Sequence, residues 1–187
     1  MSGPIDPPVA TPAILRRRAA WRYRGGHRPP FAIPPAPGQE SVWDYPRPPR
    51  IEPDPRTVRV RFGELVVAES SRAQRVLETA GAPTFYLPPA DVRMDRLVES
   101  ATRSSCEWKG VAVGFDLVDG PRDVAWSYPR PFPEFAALAG WISFHPGRIE
   151  CFVADERARP QPGGYYGGWV THEIVGPIKG EPIAEGL

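Results

Sequence analysis

Apolar and polar side chains alternate with period two through the middle of the chain, the mark of half-buried strands. Val58, Val60 and Phe62 alternate with Thr57, Arg59 and Arg61, Gly63-Glu64 turns the chain, and Leu65 to Glu69 returns as the hairpin partner. Thr84 to Leu87 reads as a short strand closed by Pro88-Pro89, and Asp91 to Leu97 as a loop with a helical turn. The longest pattern runs from Thr102 to Leu117 and reads as one central strand. Glu107, Lys109, Val111, Val113, Phe115 and Leu117 then share one face, and Cys106, Trp108, Gly110, Ala112 and Gly114 the other. Asp119-Gly120-Pro121 turns the chain into a strand whose Val124, Trp126 and Tyr128 share a face beside the lysine strand. Strands at Trp141 to Phe144 and Arg148 to Val153 flank a turn at His145-Pro146-Gly147.

Helical spacing occurs in two stretches. Ser71 with Gln74 forms a capping-box signature, Ala73, Val76, Leu77 and Ala80 follow it, and Gly81 and Pro83 stop the helix. A shorter helix starts at Pro133 and turns Phe135, Leu138 and Ala139 inward. The pattern therefore predicts a mainly β (α+β) fold of two small antiparallel sheets with one or two short helices.

The ends differ from this middle. Residues 1–40 are rich in proline and arginine, lack apolar periodicity and read as a flexible arm, with a short helix open around Ala13 to Tyr23. Residues 41–155 form the β-rich core domain, entered by a strap, Ser41 to Pro49, whose Trp43 and Tyr45 have surface to bury. Residues 156–187 form a Gly/aromatic-rich extension that packs on the core, a lid carrying Tyr165, Tyr166, Trp169 and Lys179.

Composition narrows the function classes. A net charge of +1 gives no global drive toward nucleic acid or an anionic membrane, although eight arginines fall within residues 1–50. Nucleic acid is therefore expected as a partner only through the arm. No apolar run approaches the roughly 20 residues of a membrane helix. Two isolated cysteines and no apolar leader point to a reducing cytoplasm, and the sparse Cys and His inventory predicts no metal and no cofactor. Lys109 and Lys179 are the only lysines, each followed by glycine, in a chain that otherwise uses arginine. A compact, mobile ammonium is not interchangeable with a planar guanidinium, so both positions draw notice.

Five ordered stretches resemble a bacterial domain-of-unknown-function family, number 427, which is also filed under a nucleotidyltransferase-like name. They are Trp43-Asp44-Tyr45-Pro46-Arg47-Pro48-Pro49, Tyr86-Leu87-Pro88-Pro89-Ala90-Asp91-Val92, Cys106-Glu107-Trp108-Lys109-Gly110, Ala125-Trp126-Ser127-Tyr128-Pro129 and Tyr166-Gly167-Gly168-Trp169. The resemblance implies a compact β-rich domain similar to the β-tent folds, without the paired Cys-x-x-Cys zinc knuckles many of those carry. It implies no activity. Metal-binding nucleotidyl transfer needs closely spaced carboxylates after a Gly-Ser loop, and Asp91 with Asp95 has neither that pattern nor the loop.

Two functional readings follow. The first is a small-molecule pocket, or a cryptic enzyme site, around Lys109: Trp126, Tyr128, Trp108, Tyr86 and Trp169 supply aromatic walls, and Lys109, Glu107, Asp91 and Cys106 the polar groups. The bland counterpart is that these aromatics are only the core and that Lys109 snorkels to the rim or pairs with Glu107. The second reading is an interaction module whose basic arm recruits a protein or nucleic acid.

Overall fold

The computed structural model describes residues 8–182 of the chain. One α-helix, α1 (Pro12–Ala19), precedes β1 (Glu40–Ser41), β2 (Arg50–Asp54), β3 (Val58–Phe62), β4 (Leu65–Ser70), β5 (Ala73–Leu77) and β6 (Thr84–Tyr86). Next come β7 (Leu97–Cys106), β8 (Gly110–Leu117), β9 (Ala125–Ser127), β10 (Ile142–Phe144) and β11 (Glu150–Val153). The chain ends in short strands β12 (Glu156–Arg157), β13 (Arg159–Pro160), β14 (Trp169–Val170) and β15 (Ile174–Val175). Single-turn 3-10 segments at Pro89–Asp91 and Met94–Arg96, and a longer one at Pro133–Leu138, complete the described elements.

The fold is mainly β, as the alternation predicts. It contains a four-stranded sheet ordered β4-β3-β11-β12, a second ordered β7-β8-β9-β10, and a three-stranded sheet β2-β5-β6. The first sheet begins as the predicted hairpin: Val58 and Val60 are fully buried, and Phe62 swings out past a bulge between Val60 and Arg61. Leu87 and Ile142 exchange backbone hydrogen bonds of 2.8 and 2.9 Å, tying the end of β6 to β10. Val58, Val60, Val67, Phe85, Phe144 and Trp169 are among the core side chains packed together where the sheets meet.

Three sequence expectations need correction. The segment expected as a helix from Ser71 is β5, the middle strand of its sheet, hydrogen-bonded to β2 and β6. Pairing on both sides satisfies its backbone, and the Glu52-Arg75 register places opposite charges directly across the sheet, so tertiary context overrides the helical spacing. The supposed single strand from Thr102 to Leu117 is a hairpin, β7 and β8 joined by Glu107, Trp108 and Lys109, with Cys106 opposite Gly110. In β8 Ala112 is buried and Val111 is 57% exposed, while on the Val111 face Leu117 is buried at the far end of the strand. Finally, Ala139 is exposed at the end of the 3-10 segment, where only Phe135 and Leu138 turn inward.

Residues 8–40 of the N-terminal arm contact the body of the fold, and residues 1–7 lie outside the described residues. Thr11 caps α1 by accepting from the Ile14 amide, with Pro12 in the first turn. Beyond the helix, Tyr23 and Phe31 set their ring edges on Trp43, with centroids 5.6 and 5.1 Å away. Gly25, at φ +81°, lies so close to the strap that an added Cβ would stand 2.4 Å from the Tyr45 carbonyl oxygen. The strap is buried from the other side as well: Trp43 packs with Leu77, Val170, Ile174 and Ile178, and its indole N–H donates to the Pro177 carbonyl at 2.9 Å. A short apolar cluster spread over 30 residues carries no periodic signal, which is why the arm reads as solvated from sequence.

Candidate functional site

The β7-β8 turn carries Lys109 inward. Gly110 follows it at φ +98°, a left-handed conformation that glycine adopts without strain, and the chain reverses there. Lys109 is 7% exposed, and its Nζ lies 5.9 Å from the Tyr128 ring centroid and 5.8 Å from that of Phe135. Burial on its own lowers the ammonium's pKa, and attraction to negative charge on Cys106, Tyr86, Tyr128 and Glu78 raises it by more, a rise that depends on those side chains ionising. No described carboxylate lies within ion-pair distance of it. Glu107, the partner expected from sequence, turns instead toward Arg47, 3.8 Å away.

A row of rings continues from the lysine. Tyr128 and Tyr86 lie 6.5 Å apart, the Trp126 indole N–H donates to the Tyr86 hydroxyl at 3.4 Å, and the Trp126 ring meets that of His145 at 4.3 Å. Burial pushes both phenols up in pKa, so they remain neutral O–H donors, and neither donates to a described acceptor. These side chains line a cleft of about 700 Å³.

The opposite wall comes from the arm, the strap and the C-terminal loop. Arg47, with a side chain only 2% exposed, holds Glu78 at 2.7 Å, and its guanidinium lies 3.6 Å from the Trp21 ring centroid. Lys179 places its Nζ 4.5 Å from the same indole and 4.8 Å from the Tyr166 ring. Gly164 to Gly168 close over the row, and a Cβ on Gly167 would fall 2.0 Å from Trp126 Cη2. Gly167→Ala is therefore expected to lift the loop off Trp126. Overpacking of this kind costs about 1–3 kcal/mol, and hydrogen exchange of residues 163–168 should accelerate; unchanged exchange would contradict the contact.

Six of the nine candidate residues, Lys109, Glu107, Cys106, Tyr86, Trp126 and Tyr128, line this cleft. The other three sit elsewhere. Asp91 accepts from Ser70 at 2.6 Å and pairs with Arg72, which together hold its carboxyl below the usual range. Trp169 is fully buried in the main core, donating to the Phe144 carbonyl at 2.9 Å. Trp108 packs behind the lysine with Ala112 and Phe135, and the Arg18 guanidinium covers it at 4.8 Å. Trp21 and Arg47 are cleft residues that sequence reasoning missed. The sequence signs of Lys179 are the scarcity of lysine and its place on the Gly/aromatic-rich extension read as a lid over the core.

His145 closes the row and titrates abnormally. Burial, aided by Arg148 and opposed by Asp123, lowers its pKa to about 4. An unfolded histidine takes up its proton near pH 6.5, so the unfolded chain gains protons first as the pH falls. The stability His145 contributes is complete above about pH 6.5 and is lost on the way down to about 4, in total on the order of 3 kcal/mol. Urea unfolding at pH 7 and pH 4.5 measures the loss. His145→Asn should flatten that slope.

Among the described residues no three His, Cys, Asp or Glu side chains are grouped to hold a metal ion, and no helix is long and apolar enough to cross a membrane. Fold and cleft together define a mainly β domain whose aromatic, donor-rich cleft surrounds a buried ammonium. Residues 50–155 match the family model described as Domain of unknown function (DUF427), more than half of the chain, and the chain belongs to that family. No curated protein matches it.

Proposed function

We propose that the protein binds a small molecule in the cleft around Lys109, which donates hydrogen bonds and positive charge to acceptor groups of the ligand. One observation carries this reading: Lys109 is a lysine only 7% exposed that lines a cleft and has no described carboxylate partner. An isolated buried cation is costly, and such cost is typically retained where the charge meets a ligand. The Tyr86 and Tyr128 hydroxyls, which line the same cleft and donate to no described acceptor, support the same reading. Cys106 lies in the same cleft as a free thiol, which leaves room for chemistry on the bound molecule.

The test is a metabolite screen by thermal shift, repeated on Lys109→Met. Methionine keeps most of the stem's packing and removes a charge that has no ion-pair partner. The variant without ligand is expected to melt near the wild-type temperature, and a wild-type hit should lose most of its shift. A hit that stabilises both proteins equally would move the ligand away from Lys109.

The arm as a docking segment has less support. Arg18 is bound to the Glu107 carbonyl and Glu134, Arg24 to the carbonyls of Arg18 and Ala19, and Arg28 to Asp44. Nucleic-acid binding through the arm would require strong salt dependence that disappears when the exposed Arg16 and Arg17 are replaced.

A further inference from the structure

The chain has 21 arginines and two lysines, and both lysines line the same cleft. They come from distant parts of the sequence, Lys109 from the β7-β8 turn and Lys179 from the stretch after β15. Each stands against a pair of rings, Tyr128 and Phe135 for one, Trp21 and Tyr166 for the other. Neither has a described carboxylate within ion-pair distance. The other cations of the cleft are mostly balanced: Arg47 by Glu78 and Glu107, Arg148 by Asp123, and Arg103 by Glu99. Among the described residues Arg17, on the exposed arm helix, joins the two lysines in having no carboxylate within ion-pair distance.

Resting on the reading of the cleft as a ligand site, we propose that its ligand is an organic anion carrying at least two negative charges on a flat, conjugated body. Two ammonium groups with no described counter-ion of their own call for two negative charges from outside. The flat body follows from the walls. Tyr128, Tyr86, Trp126 and His145 form a continuous row of rings set edge-on or tilted to one another, and a planar conjugated body can pack against such rings face-on or edge-on. Trp21, seated between the Arg47 guanidinium and the Lys179 ammonium, shows that a flat ring fits beside these cations. Lysine at both positions also fits this class. Its point charge serves a carboxylate or a phosphate from several directions, where arginine would demand a coplanar, two-pronged contact.

Calorimetric titration of the full chain tests the class with four probes: benzene-1,3-dicarboxylate, phenyl phosphate, benzoate and benzamide. At least one dianion is expected to bind about tenfold or more tightly than benzoate, with no measurable binding of neutral benzamide. The stronger of the two dianions tells carboxylate from phosphate as the anionic group. Lys109→Met and Lys179→Gln should each weaken the dianion by about tenfold or more and reduce the salt dependence of binding. Lys179 is half-buried at the rim, so its replacement leaves the core intact even where that of Lys109 does not. Benzamide binding as tightly as the dianions, unaffected by either substitution, would overturn the charge assignment and leave the cleft reading standing. No binding of any probe at millimolar concentration also overturns it, and the cleft reading then falls only if the thermal-shift screen finds no hit.

Discussion

Trp43→Ala is expected to destabilise the protein by about 3–5 kcal/mol, the range for removing a large aromatic from a closed core. Trp43 has no exposed surface, and its ring is met edge-on by Tyr23 and Phe31 from the arm and packed by Leu77, Val170, Ile174 and Ile178 from the body. Its indole N–H is used by the Pro177 carbonyl, so truncation also leaves that buried acceptor unpaired. Trp43→Phe keeps most of the ring volume and loses only the hydrogen bond, and should cost less than half as much. Urea unfolding of the two variants separates the contributions. Equal losses would show that the hydrogen bond outweighs the packing.

The second large effect is loss of the arm. A chain beginning at Gln39 removes Tyr23, Phe31 and Ala32 from the face of Trp43 and Gly25 from the strap. Each aromatic contributes part of the roughly 1.5–3 kcal/mol of a fully buried side chain, so the truncated protein should lose several kcal/mol in total. It also loses Arg17 and Trp21 from the cleft wall. A lowered melting temperature together with weakened ligand binding is expected. An unchanged melting temperature would mean that the arm's contacts contribute nothing to stability.

The strands were legible where alternation meets a one-sided core, as at Val58 and Val60, which are buried while Arg61 is exposed. They were not legible at β5, where Ala73, Val76 and Leu77 fit a helical face as well as a strand whose neighbours lie far away in sequence. The β7-β8 hairpin hid in a continuous pattern because its turn, Glu107-Trp108-Lys109, keeps the polar-apolar rhythm of the flanking strands. Reading through that turn put Lys109 on the face of Val111, which is exposed, although the lysine is buried. At the site, the aromatic row came through because Trp126 and Tyr128 sit close to the lysine in sequence. Trp21, Arg47 and Lys179 arrive from remote segments, and no local pattern predicts that meeting. Asp91 lies within the residues that match the family, as Lys109 does, yet it is tied to Ser70 and Arg72 and stands outside the cleft.

The presence of only two lysines allows a direct measurement. Protein labelled with 13C at the lysine ε-carbon gives one signal from Lys109 and one from Lys179. Titration with benzene-1,3-dicarboxylate or phenyl phosphate, whichever binds, should move both signals together along one saturation curve. Both signals staying in place at saturating ligand would contradict the assignment of the cleft as the binding site.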